Sequence, residues 1–354
     1  MSYLNRIYSG LKPYTPGEQM SDQNYIKLNT NENPYEASEK ARKYAQAELS
    51  KTRLYQDPEN SRLAEAIAKY HHVNQNQVII TNGSDEVLYF IFAGFFTGEK
   101  PLLFPNITYG FYRVYAGFCG VNYREVPLKA DFTIDLDDYT KGNANIIIAN
   151  PNAPTGLKME PSDIERILKA DQNSLVVVDE AYVDFGGTSC IRLVEKYDNL
   201  IVVQTFSKAR QLAGARVGFA ISHEKNISDL KKIKYSINPY NVNRISEAMA
   251  IGAMEDQEHF EKTISKVIET REAFTSAIRE KGFLVLDSST NFVFAKHPGI
   301  KGKALYTKLR EKGFLVRHFD TGLLTDFIRI SIGKMEDMML LADAFDNILR
   351  EAGQ

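Results

Sequence analysis

Tryptophan is absent from the 354 residues, and cysteine occurs only at Cys119 and Cys190. Two cysteines so far apart make neither a metal-type nor a redox-type spacing. They exclude a disulfide-rich secreted scaffold, so a reducing, cytoplasmic compartment is expected. The six histidines form no HExxH pattern, which removes one common zinc signature. Charge of one sign is also missing: 43 basic residues against 45 acidic ones leave a formal −2, with a sequence pI near 6.4. Recognition of nucleic acid or of a membrane surface by bulk attraction is therefore not expected, and a small-molecule ligand is. The longest apolar run, Val87 to Phe96, is too short to span a bilayer and reads as a buried core helix. The opening MSYLNRIYSG carries no basic-then-apolar leader pattern. What is present, 44% hydrophobic and 25% charged residues, describes a globular chain long enough for two domains.

The stretch up to Asn31 holds Pro13, Pro16 and Gly17 without a clear period and reads as an arm of the kind that crosses to another subunit. A helix is expected from near Ala37. In SRLAEAIAKYHH, Leu63, Ile67 and Tyr70 recur at helical spacing and are expected to face the core. From Gln77 to Ala220 apolar strands alternate with helices, which describes a largely parallel sheet covered on both faces. One of these helices is expected to start with a capping box at Ser162 and Glu165. A long helix follows from about Glu247 to Lys281. The pattern then changes to FLVLDSSTNFVFAKH, a helix around Lys303 to Lys312, GFLVRHF and FIRISIG, a smaller α+β domain. The expected division is an arm over 1–31, a large domain over 32–250 and a small C-terminal domain over 251–354.

The chemistry is expected in TFSKARQLAGARVGF, Thr205 to Phe219. It follows NLIVVQTF, a β-branched run typical of a buried parallel strand. Lys208, just past that strand among small and hydroxylated residues such as Thr205 and Ser207, is expected to be partly desolvated. Desolvation disfavours the ammonium form and makes the amine nucleophilic. Arg216 offers a planar fork for a phosphate, with Gly214 permitting close approach. Taken alone, the same segment also describes an ordinary solvated loop.

Other segments add to it. QVIITNGSDE (77–86) runs strand, glycine turn, helix, which aims backbone amides at one point, and Gly83 allows close approach there. It is neither a GxxxxGKS loop nor a GxGxxG fingerprint. Ser84 supplies a hydroxyl, and Asp85 its backbone N–H with the carboxylate turned aside as a cap. Asp179, after four apolar residues, puts a carboxylate at the carboxyl end of a central strand, where open α/β sheets bind ligands; buried, it needs a cationic partner. Tyr182 can reach the same neighbourhood. Tyr109 either lies over a planar ligand or packs into a helix start. Asn31 in NTNENPYE and Tyr55 in RLY read locally as loop residues. Arg317 and Arg329 sit at or within strands of the smaller domain, and Arg329, between two isoleucines, needs an anionic partner.

One cofactor accounts for a desolvated lysine, a strand-end carboxylate, a phosphate-suited helix start and a nearby arginine: pyridoxal 5′-phosphate. Through NENPY, RLY, NGSDE, TYGFY, NPNAPTG, DEAY, TFSKARQLAGARVGF and FIRISIG the sequence resembles the fold type I aminotransferases, and within them the histidinol-phosphate aminotransferases. The resemblance spans nearly the whole chain. It implies an α/β fold in which residues 32–250 form the cofactor-binding domain with a mostly parallel sheet. It implies Lys208 as the lysine bonded to the cofactor, Asp179 as the partner of the ring nitrogen and Tyr182 as a donor to the ring oxygen, with Tyr109 stacked on the ring. Ser84, Asp85, Thr205, Ser207 and Arg216 would line the cofactor phosphate, joined by Tyr55 from the second subunit of a homodimer. Asn31, Arg317 and Arg329 would meet substrate. The family has asparagine immediately before PTG; this chain has Ala153 there, so the asparagine's role is given to Asn152.

The implied reaction is reversible amino transfer between L-histidinol phosphate and glutamate, without nucleic acid or membrane as partner. Aromatic amino-acid aminotransferases and threonine-phosphate decarboxylases share the cofactor apparatus and stand as alternatives. A ligand sensor on the same fold would need a DNA-binding segment that this chain lacks, and a nicotinamide oxidoreductase would need its glycine fingerprint.

Overall fold

A computed structural model describes residues 3–19 and 25–351. Within them, a short strand β1 (Ile26–Lys27) precedes the main sheet. That sheet is built from β2 (Val78–Thr81), β3 (Leu102–Pro105), β4 (Tyr123–Val126), β5 (Asn145–Ala149), β6 (Val176–Asp179), β7 (Leu200–Thr205) and β8 (Gly218–Ser222), in the spatial order β2-β8-β7-β6-β5-β3-β4. The strands from β7 to β4 run parallel to one another, and β8 lies antiparallel between β2 and β7. The runs NIIIA, VVVD and LIVVQT are buried throughout, as a sheet covered on both faces requires.

Strand alternation sends successive side chains to different cores. Ile146, Ile148, Val176 and Val178 enter one core with Leu63, Ile67, Ile164 and Leu168. Ile147, Ala149 and Val177 enter the other with Val87, Phe92, Tyr112 and Leu230. The helix Gly83–Phe95 belongs to that second core, as its apolar run implied.

A second, antiparallel sheet comes from β9 (Leu284–Val285), β10 (Phe292–Lys296), β12 (Arg317–His318) and β13 (Ile328–Ser331), in the order β12-β13-β10-β9. Between them in sequence, β11 (Phe314–Leu315) pairs in parallel with β1. The helices Gln257–Glu280, Gly302–Glu311 and Met335–Glu351 contribute Phe274, Leu305 and Phe345 to its separate core.

Three sequence expectations change. The helix expected over Glu247 to Lys281 is two helices, Arg244–Glu255 and Gln257–Glu280, parted at Asp256, whose carboxylate caps the second by accepting from His259 N. The helix assigned a start at Ser162 begins at Pro161, with reciprocal bonds between Glu160 and Asp163; Glu165 instead accepts from Tyr197 and pairs with Lys196. Tyr70 does not join Leu63 and Ile67 in the core; it is 39% exposed and lies beneath the Arg210 guanidinium.

Candidate active site

A cavity of about 820 Å³ opens at the carboxyl ends of β3, β5, β6 and β7, and the residues singled out from the sequence line it, with the exception of Asn152 and Tyr55. Lys208 stands three residues beyond β7, its Nζ 3.2 Å from the carbonyl oxygen of Thr30 and 5.8 Å from the centre of the Tyr182 ring. Thr205 and Ser207, which also line the cavity, join hydroxyls at 2.9 Å.

Asp179 ends β6 on the face that carries Val177. Its Oδ2 accepts from the Tyr112 hydroxyl at 2.9 Å and its Oδ1 from Ala181 N at 3.2 Å. Burial pushes its pKa up to about 6 against the lowering pull of those two donors, and the negative Asp85 adds to the rise. Among the described residues no cationic side chain pairs with it, which leaves this carboxylate at the cavity wall able to take a cationic partner from a ligand.

The helix Gly83–Phe95 points its first turn at the other end of the cavity. Gly83 has φ +75°, and a Cβ there would sit 2.5 Å from Nη2 of Arg216. On the adjoining strand, a Cβ at Gly218 would overlap the backbone nitrogen of Ser84. These two positions, and not Gly214, where a Cβ would meet nothing within 4 Å, need glycine for close approach. Asp85 likewise differs from expectation. Its carboxylate is not a cap but takes Arg216 at 2.8 Å on one oxygen and the Tyr109 hydroxyl at 2.9 Å on the other. Arg216, in a left-handed conformation with φ +55°, is thereby aimed across the helix start. Tyr109 meets the ring of Tyr112 edge-on at 5.6 Å and that of Tyr14, from the arm, at 6.4 Å.

Asn31, at φ +56°, is wired into both sheets' surroundings. Its side-chain amide donates to the Tyr182 hydroxyl at 2.9 Å, its Oδ1 accepts from Ser331 at 3.0 Å, and its carbonyl accepts from Asn291. Arg317 and Arg329 are direct cross-strand partners on β12 and β13. Arg329 donates to the Asn29 carbonyl at 3.0 Å, lies over the rings of Phe292 and Phe319, and keeps a buried Nε without a partner. Arg317 donates to the carbonyls of Thr15 and Pro16 in the arm. The carboxylates nearby in sequence, Asp320 and Asp326, pair with Lys303 and Lys301 instead.

Asn152 stands behind the wall, its amide donating to the Ile107 carbonyl and the Thr155 hydroxyl, while Ala153 lines the cavity. Tyr55 is 78% exposed away from the cavity and stacks on Tyr240 at 4.5 Å. Sequence reasoning missed Tyr112, Asn291 and Ser331. Tyr112 had a signal, since it lies one helical turn from Tyr109, and Ser331 another, two positions beyond Arg329 on one strand.

The chain belongs to the class I and II aminotransferases, whose family model matches residues 23–345. Within that class it is similar to histidinol-phosphate aminotransferase of Brachyspira hyodysenteriae, 46% identical over 99% of each chain. It is also similar to histidinol-phosphate aminotransferase 1 of Pseudomonas fluorescens Pf0-1, 49% identical over 96% of this chain and 97% of that one. Among solved structures, histidinol-phosphate aminotransferase from Sinorhizobium meliloti in complex with pyridoxal-5'-phosphate superposes with a TM-score of 0.90 at 25% identity, covering 99% of this chain and 98% of that one.

Proposed function

We propose that this aminotransferase exchanges an amino group between L-histidinol phosphate and 2-oxoglutarate, giving imidazole acetol phosphate and glutamate, in histidine biosynthesis, with pyridoxal 5′-phosphate as cofactor. The observation that carries the substrate reading is the cross-strand pair Arg317 and Arg329 on the cavity that holds Lys208. A carboxylate needs one arginine fork, whereas a phosphate monoester carries close to two charges and gains from a second cation.

The donor set fits the cofactor. Asp179, buried without a cation, suits a protonated ring nitrogen, and Ser84, Thr205, Ser207 and Arg216 gather hydroxyls and a guanidinium at the helix start for its phosphate. When bound, the cofactor supplies an electron-accepting ring for the charge left as the substrate Cα loses a proton. Lys208 Nζ is the base that takes that proton, with the Thr30 carbonyl as its resting hydrogen-bond partner. Asp85 orients the Arg216 fork and offsets part of its charge. Tyr182, accepting from Asn31, has its own hydroxyl proton free to point into the cavity.

We further read the protein as a cytoplasmic homodimer in which Tyr55 completes the neighbouring site, a reading supported by its exposure outside its own chain's cavity. Among the described residues no helix is long and apolar enough to cross a membrane. A cofactor domain and a small domain are supported by the separate cores of the two larger sheets. Their boundary falls near Asp256 rather than at 250, because Ile251, Ala253 and Met254 of the helix Arg244–Glu255 pack in the larger core, while Leu28 of the arm packs in the smaller one. Residues 1–2 and 20–24 of the arm lie outside the described residues. The decisive experiment is an absorbance spectrum of the purified protein before and after glutamate, then after histidinol phosphate, then after phenylalanine. A cofactor band changed by glutamate and histidinol phosphate is expected. No band refutes the cofactor, and a faster response to phenylalanine than to histidinol phosphate refutes the substrate.

A further inference from the structure

Asp179 is held by a phenol. Tyr112 is fully buried between the rings of Phe92 and Phe104, with Tyr109 edge-on to it, and its hydroxyl donates to Asp179 Oδ2 at 2.9 Å. Strand parity puts the two on the same side of the sheet. Val177 and Asp179 share the face of β6 packed by the helix Phe111–Cys119, which carries Tyr112. Burial, together with the facing Asp179, raises the pKa of this phenol well above its ordinary range. Tyr112 therefore keeps its proton and acts as a permanent donor.

We propose that Tyr112 is a positioning residue that keeps Asp179 a weak enough base for a cationic ring nitrogen facing it to retain its proton. The inference rests on the cofactor reading above. A buried carboxylate without a donor gains proton affinity, because its charge has lost water and gained nothing. Opposite a protonated heterocycle it would then draw the proton to itself, leaving two neutral partners and a ring that no longer accepts electrons. Each donor on the carboxylate opposes that transfer. Asp179 has two, Tyr112 and Ala181 N, and the other charges nearby do not replace them: Asp85 is negative and is itself occupied by Arg216. Because Ala181 N is backbone, Tyr112 is the donor that a side-chain change can remove. A phenol merely parking its hydroxyl in a core would affect stability alone.

The test uses holoenzyme loaded with cofactor labelled with 15N at the ring nitrogen. Tyr112→Phe keeps the aromatic packing and removes the hydroxyl. The 15N resonance is expected to move from the protonated toward the unprotonated position, with single-turnover rate falling about 10- to 100-fold, the worth of one hydrogen bond to a charged group. An unmoved 15N resonance with cofactor bound overturns the proposal. Wild-type holoenzyme gives a second reading that needs no variant to fold. The 13C shift of the Asp179 carboxyl should report an ionised carboxylate, and a neutral carboxyl overturns the proposal equally. Wild-type protein that binds no cofactor would instead sink the cofactor reading, so the two failures are distinguishable.

Discussion

The side-chain amide of Asn31 donates a hydrogen bond to the phenol oxygen of Tyr182 over 2.9 Å, while Ser331 closes on the Oδ1 of the same Asn31 over 3.0 Å. The direction of that bond matters more than its presence. With its oxygen accepting from Asn31, Tyr182 points its own proton elsewhere, and the cavity is where a ring oxygen would receive it.

Asn31→Asp tests the direction, since aspartate keeps the shape and tolerates the left-handed backbone. Its carboxylate would accept from Tyr182 and reverse the bond. Cofactor should still bind, but the single-turnover rate should fall roughly 10- to 100-fold, the range for a hydrogen bond to a charged group. A stopped-flow rate equal to wild type would remove Asn31 from any positioning role.

Arg317→Ala separates the two substrates. Removing one partner of a desolvated charge pair costs about 2 to 5 kcal/mol. Arg317 is only half-buried and also binds arm carbonyls, so the low end applies, roughly 30-fold in affinity for histidinol phosphate. Glutamate should lose much less, because Arg329 remains for its carboxylate. Half-reactions measured separately by single-turnover absorbance decide this, and equal losses for both substrates would contradict the phosphate assignment.

Lys208→Ala should lose turnover and the cofactor's visible band, and a Tyr55 variant should be inactive through the neighbouring site. Mixing the two should restore some activity, since a mixed dimer holds one site with both residues intact. Absence of recovery after mass spectrometry has shown subunit exchange would argue against shared sites.

Glu180, next to Asp179 but on the opposite face, makes a pH prediction. Burial raises its pKa to about 7 from an ordinary 4.5, despite bonds from Cys190 N, Ser189 and Gln204. The folded form thus binds more protons than the unfolded chain between those values, and raising the pH through that window costs stability, about 3 kcal/mol in all. Glu180→Gln abolishes the titration. Relative to wild type it should gain stability as pH rises from about 4.5 to 7 and change no further above. Urea midpoints of the cofactor-free proteins across that range measure the difference, and a flat difference would show that Glu180 titrates normally.

Much of the site was legible because its signals are local. A β-branched run identifies a buried strand, the residue after it stands at the strand's carboxyl end, and so Lys208, Asp179 and the Ser84 turn could be placed without knowing their neighbours. Asp85 was misread for the complementary reason. A carboxylate in the first turn of a helix reads locally as a cap, and only the fold brings Arg216 against it from 131 positions away. The helix break at Asp256 was missed because apolar periodicity runs on through a cap.

By itself the sequence determined which segments are buried on which period, hence the two sheets, the two faces of the larger one and the strand ends where polar groups collect. Tertiary structure alone decided how those groups are aimed. Tyr112 reaches Asp179 across 67 positions, Asn31 reaches Tyr182 across 151, and Ser331 reaches Asn31 across 300. Hydrogen bonds between side chains need angstrom placement of both partners, and periodicity specifies only a face; the relative seating of helices and sheets, set by packing of their cores, supplies the rest.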